Sequence, residues 1–137
     1  MLVGLCGLLL VGCGSIRSCD DDGRDGDVRL LRTPTEHMVN YGIKSYEDGN
    51  YAASMTTLQG LVDNKDATKS EKVLAYKYLA FIHCVSTVES RDLRDRLCRE
   101  SFKKAFDLNP RFNLSPAEAG HPVWGPVFSS VKSKLAK

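Results

Sequence analysis

The sequence predicts an all-α domain: antiparallel helical hairpins closed by a C-terminal capping helix. Three observations predict it. From Thr35 onward, apolar residues recur at intervals of three and four, the period of one helix face. Gly49-Asn50 and Asn109-Pro110 punctuate the pattern where chains turn. Residues equidistant from two turn centres match in size, as antiparallel packing requires. The 137 residues suffice for one domain, and 42% hydrophobic with 26% charged residues is a globular balance. The net charge of +2 lacks the strongly basic footprint of a nucleic-acid-binding domain.

The averages conceal three compositions laid end to end. Met1 to Val11 is almost wholly apolar, and no charged residue occurs before Arg17. As a helix to Cys13 this run would span about 20 Å, short of the ~30 Å hydrocarbon core, and it fits the h-region of a secretory signal. Leu10-Val11-Gly12-Cys13 at its end resembles the lipobox of bacterial lipoproteins, although no Lys or Arg precedes the run. The resemblance implies that residues 1–12 are removed as a signal peptide and that Cys13 carries the lipid, a diacylglyceryl group and a palmitate-type acyl chain. Gly14 follows the cysteine. That resembles the sorting pattern for an outer-membrane address in a Gram-negative bacterium, on the periplasmic face.

Residues 13–34 then read as the lipidated Cys13 followed by a flexible, acidic tether, rich in Gly, Asp and Arg. A coil of that length has an r.m.s. reach of about 25 Å. Its aspartates, Asp20, Asp21 and Asp22, do not make a calcium loop. An EF-hand needs Glu at position twelve, where this stretch has Leu31.

Residues 35–137 form the helical domain. Thr33 or Thr35 can cap the first helix, with Pro34 breaking what precedes it. Met38, Tyr41, Gly42, Ser45 and Tyr46 make its stripe; Tyr51, Ser54, Met55, Leu58, Leu61 and Val62 make the next. About a turn centred near Asp48, Gly42 should face Ser54 and Met38 should face Leu58. A second hairpin follows, with Val73, Tyr76, Leu79, Ala80, His83 and Cys84 on one helix and Leu97, Cys98, Phe102, Ala105 and Phe106 on the other. About a centre near Arg91, Cys84 should face Cys98, Ala80 Phe102, and Tyr76 Phe106. In an exported domain, facing Cys84 and Cys98 are read as a disulfide; the alternative is two reduced, buried cysteines. Cys19 is left over in the tether, free or available for intermolecular pairing.

Residues 41–61 resemble a tetratricopeptide repeat through Gly42, Gly49, Tyr51, Ser54 and Leu58. Residues 79–110 resemble a second through Ala80, Phe102, Ala105 and Pro110. That second repeat carries extra residues around Thr87 to Arg94, and the link from Asp63 to Ser70 is long. The fold expectation is therefore tetratricopeptide-like with about two repeats. Two repeats leave an apolar face uncovered. Ser115-x-x-Glu118 opens a short helix as a capping box, and Gly120-His121-Pro122 closes it. Val123, Trp124, Val127, Phe128, Val131 and Leu135 then follow helical spacing, with Pro126 near the start. This last helix is expected to lay Trp124 and Phe128 over the final hairpin as a cap.

The string from Phe102 to Pro110, with Phe112, Leu114, Pro116-Ala117-Glu118-Ala119-Gly120-His121-Pro122 and Trp124 to Phe128, resembles the TssQ-type lipoproteins associated with type VI secretion. The resemblance covers most of residues 36–130. It implies an accessory lipoprotein of the secretion apparatus, a protein-protein interaction scaffold whose partner is an envelope component. A pilotin or assembly-chaperone lipoprotein of another envelope complex is the alternative.

Little in the chain points to catalysis. His37, His83 and His121 are isolated, and neither G-x-S-x-G nor H-E-x-x-H occurs. The expectation is no enzyme, no catalytic or metal-binding residues, no cofactor and no small-molecule substrate. Asp92–Arg96, Asp95–Arg99 and Glu100–Lys104 stand in the favourable i,i+4 order, which reads first as a solvated helix face. Arg91, Arg94, Arg96 and Arg99 are also the candidate partner surface, a basic strip toward an acidic partner or lipid headgroups. Tyrosines on the concave side of the hairpins would offer a second grip.

Overall fold

The computed structural model describes residues 33–136, and all regular structure among them is helical. The expected signal peptide, Cys13 and the expected tether up to residue 32, with Cys19, lie outside the described residues. Thr33 and Pro34, assigned to the tether, begin the first helix instead. Six helices follow in order: α1 (Pro34–Glu47), α2 (Tyr51–Asp63), α3 (Lys69–Val85), α4 (Arg91–Leu108), α5 (Pro116–Ala119) and α6 (Trp124–Leu135). The fold is all-α, and its helical hairpins pack against each other. No described helix is long and apolar enough to cross a membrane.

Local chemistry sets the helix starts. Thr33 caps α1, its hydroxyl accepting from the Glu36 backbone N–H at 3.2 Å while Glu36 accepts from the Thr33 N–H at 3.0 Å. Pro34 opens the helix, one residue ahead of the expected boundary, because the first turn has no use for its missing N–H. The same reciprocal box, Thr68 with Glu71, starts α3. The link between hairpins is thereby shortened to residues 64–68. Ser115 and Glu118 make the expected third box at α5. Gly49 turns the first hairpin at φ 77°, a left-handed conformation that favours glycine.

The first hairpin, α1 with α2, closes as expected at Gly42, whose carbonyl accepts the buried Ser54 hydroxyl at 2.7 Å. Its register differs one turn along. Leu58, expected opposite Met38, fills the space over Gly42, where a Cβ would lie 2.6 Å from Leu58 Cδ2, and Met38 lies over Gly60. The buried stripe of α1 is Thr35, Val39, Gly42 and Ser45. Gly42 and Ser45 are buried as expected, but Val39, 7% exposed, takes the place of Met38, and Tyr41 is 60% exposed.

In the second hairpin, α3 with α4, Cys84 lies opposite Cys98 as the pairing arithmetic requires. The loop itself is residues 86–90, earlier than the centre near Arg91, and Arg91 to Arg94 form the first turn of α4. The facing centre and the loop differ because α4 runs two turns beyond the end of α3. The loop climbs beside those turns, where Arg94 Nη1 donates to the Ser86 carbonyl at 3.4 Å.

Helix α3 is central and buries more than one stripe: Val73, Ala75, Leu79, Ala80, Phe81, Ile82 and Cys84. One side meets Val39, Leu58, Leu61 and Val62 of the first hairpin. The other meets Phe102 and Phe106 of α4 and Trp124 and Phe128 of α6. The cap forms by aromatic contacts: Trp124 stacks on Phe81 at 4.4 Å between ring centroids, and Phe128 meets Phe102 at 5.3 Å and Phe106 at 5.4 Å. Phe112 and Leu114, from the segment after α4, complete this core.

Candidate interaction surface at the α3–α4 corner

The Cys84 and Cys98 sulfurs lie at bonding distance, with Cα atoms 5.0 Å apart, inside the usual disulfide range. Both side chains are buried, and they tie the last turn of α3 to the third turn of α4. Beside them opens a cleft of about 320 Å³ lined by Cys84, Val85, Arg94, Cys98, Val123 and Val127. Its floor is apolar, and Val123 at its edge is 45% exposed. Asp95 Oδ1 lies 3.7 Å from Arg94 Nε at the rim. On the neighbouring loop Val88 is 94% exposed.

The four arginines of the expected strip do not lie along one line of α4. Each helical residue turns by about 100°, so positions 91, 94, 96 and 99 spread around more than half of α4. Arg94 is drawn in against the loop and the cleft. Arg99 reaches α6, where it donates to Ser130 Oγ at 3.3 Å. Arg91, Arg96 and Arg99 are exposed. The three expected i,i+4 pairs are not closed either. Asp95 meets Arg94 instead, and Lys104 lies over the Tyr76 ring at 5.5 Å. Exposed charges gain little by pairing in water, so these contacts follow neighbouring elements rather than the helix spacing.

His83 and Glu89 approach at the base of the loop, Nδ1 to Oε1 3.6 Å. Three buried polar atoms in this corner, His83 Nδ1, Glu89 Oε2 and Arg94 Nε, take no hydrogen bond within the protein. His121 stacks on Trp124 with their ring planes 2° apart, and its Nδ1 accepts from the Val123 N–H at 3.2 Å. The arrangement orients the entry into α6.

A second polar cluster locks α5 to α3. Lys77 Nζ donates to Glu118 Oε1 at 2.7 Å and lies 4.7 Å from the Tyr78 ring centroid. The Trp124 indole N–H donates to the Glu118 carbonyl at 2.9 Å. Burial pushes the Glu118 carboxyl upward, but the Lys77 ammonium and the Ser115 N–H and hydroxyl together hold it below its ordinary value. Around this cluster Tyr46 and Tyr78 pack edge to face, ring centroids 5.1 Å apart. Burial, with smaller contributions from Tyr51, Tyr78 and Glu118, raises the Tyr46 phenol to about 12. Of the tyrosines expected to offer a grip, Tyr41 and Tyr51 are the exposed ones; Tyr46, Tyr76 and Tyr78 are partly buried against the cores.

Several of these residues escaped the sequence reading. Glu36, partner of the cap candidate Thr33, and the pair Thr68–Glu71 carry the same [S/T]-x-x-E signal that revealed Ser115–Glu118. Phe81 carries none, because it falls off the single stripe assigned to α3. Lys77 pairs across 41 positions, which no local pattern encodes. Compared with family models, curated proteins and solved structures, the chain matches none.

Proposed function

We propose that the chain is a non-enzymatic, outer-membrane-anchored accessory lipoprotein of a type VI secretion system, a scaffold that binds another envelope component. The observation that carries this reading is the Cys84–Cys98 pair, at disulfide geometry inside a helical unit that follows the Leu10-Val11-Gly12-Cys13 string. A disulfide persists in an oxidising compartment such as the periplasm, where a signal and a lipidated cysteine would deliver the domain. The cleft beside that disulfide suits docking, with an apolar floor and a charged rim. Residues from Phe102 to Phe128, whose resemblance suggested the secretion system, build the α4–α6 half of the fold.

Crosslinking in intact cells, followed by purification of the lipidated protein, tests the reading. Recovery of a secretion-system envelope component is the expected result. Recovery of a secretin, pilus or outer-membrane insertion component would establish the pilotin or chaperone alternative. Recovery of no envelope component would overturn the scaffold reading.

A further inference from the structure

We infer that the C-terminal end of α6, with the adjoining face of α4, is a docking surface for an anionic lipid headgroup layer. Leu135 is 47% exposed, a large apolar side chain left at the end of the last helix. It borders two shallow grooves. One, of about 270 Å³, is lined by Arg99, Glu100, Lys103, Val131, Lys134 and Leu135. The other, of about 440 Å³, is lined by Phe106, Asp107, Pro110, Lys132, Leu135 and Ala136. An apolar ridge between apolar-floored grooves is thus rimmed mainly by cations.

Cations outnumber carboxylates around it, with Arg99, Lys103, Lys132 and Lys134 against Glu100 and Asp107. From Gly120 to Lys137 the sequence has no Asp or Glu, but it has Lys132, Lys134 and Lys137. Lys103 is matched by Asp107 at 3.1 Å. Arg99 and Lys132 bond only neutral partners, Ser130 Oγ at 3.3 Å and Asn113 Oδ1 at 3.1 Å. Glu100 is the one carboxylate lining the first groove. A surface of this kind complements a flat, diffuse negative layer. The Lys and Arg stems lie along apolar side chains while their heads reach phosphates, and Leu135 enters the headgroup boundary. The inference rests on the proposed lipid anchor only for bringing this face to a membrane. The affinity of the face is independent of that anchor.

The test uses the chain from Gly14 onward, which omits the apolar leader and Cys13 but retains every described helix. It is sedimented with vesicles of phosphatidylethanolamine and phosphatidylglycerol, and separately with phosphatidylcholine vesicles. Binding to the anionic vesicles alone, weakening as salt rises, is expected. Lys134→Glu should weaken it at least about fivefold, from the contribution of a single cation near an anionic surface. Lys65→Glu, an equal charge change on the exposed loop between α2 and α3, should alter it less than about twofold. Circular dichroism of each variant checks that the helices remain. Absence of binding, equal binding to both vesicle types, or equal loss in both variants would overturn the inference. So would capture of an acidic protein segment by Lys134 without vesicle binding. Membrane fractionation of the full lipidated chain alongside any of these results would leave the anchor standing and remove only this docking surface.

Discussion

At Gly125 the backbone of α6 passes so close to the Ala119 carbonyl that a Cβ there would collide with backbone rather than with a movable side chain. Gly125→Ala should destabilise the domain by about 1–3 kcal/mol, the usual range for overpacking. A thermal melt should fall by at least ~5 °C for a domain of this size; an unchanged midpoint would show that α5 and α6 are not held this tightly. Glu118 works through charge. Glu118→Gln keeps a side chain able to complete the Ser115 box but removes the carboxylate facing Lys77, and should cost about 1–2 kcal/mol at neutral pH. The folded carboxyl titrates below its ordinary value of 4.5. Its contribution is therefore present above pH 4.5 and lost as pH falls through the depressed folded value. Melts of wild type and variant should differ by a constant amount down to about pH 4.5 and converge as pH falls from there through the depressed folded value. A gap that widens in acid would contradict the assignment. The position of this carboxylate shows what a local pattern conveys. Ser115-x-x-Glu118 identified a cap, while its ion pair depends on α5 folding back over α3.

The hairpins carry the next level. Closing a loop of 14 positions between Cys84 and Cys98 should contribute on the order of 3 kcal/mol by constraining the unfolded chain. Cys84→Ala/Cys98→Ala should lower the melting midpoint accordingly. Non-reducing peptide mass mapping of protein purified without reductant should recover the two cysteines in one crosslinked species; two free thiols would show that they are only buried. This pairing was legible because antiparallel helices place positions symmetric about a centre side by side. The loop was less legible. Arg91 to Arg94 look like turn sequence, yet Ser90 caps them into α4, its hydroxyl accepting from the Leu93 N–H. In α1, Val39 displaced the expected neighbours because the helix faces both α2 and α3, which shifts the direction of burial. The geometry of the basic strip was not legible at this scale either. Four arginines close in sequence separate around a helix, and α6 and the loop each draw one away.

For the whole molecule, the domain and its delivery make separable claims. If Cys13 carries the proposed lipid, Cys13→Ser should move the protein from the membrane to the soluble fraction. Unaltered sedimentation with membranes after the same treatment would remove the lipid-anchor reading. Two cores share α3 as a common wall. The first hairpin packs on Ala75 and Leu79, while α4 and α6 pack on Val73, Ala80 and Phe81. A two-hairpin unit is small for a repeat array, and α6 covers the face that a third repeat would otherwise meet.

The sequence by itself determined the helical class, the number of hairpins, the helix boundaries marked by caps and glycine, and the opposition of Cys84 to Cys98. These follow from periodicity, dihedral preference and hydrogen bonding over a few residues, or from symmetry about a turn. Only the tertiary structure decided that Phe81 joins both hairpin aromatics and Trp124, that Lys77 meets Glu118, and that Leu135 ends as an exposed ridge among cations. Such contacts depend on the angles at which whole helices cross. Those angles come from the packing of many side chains at once, so no short window of sequence contains them.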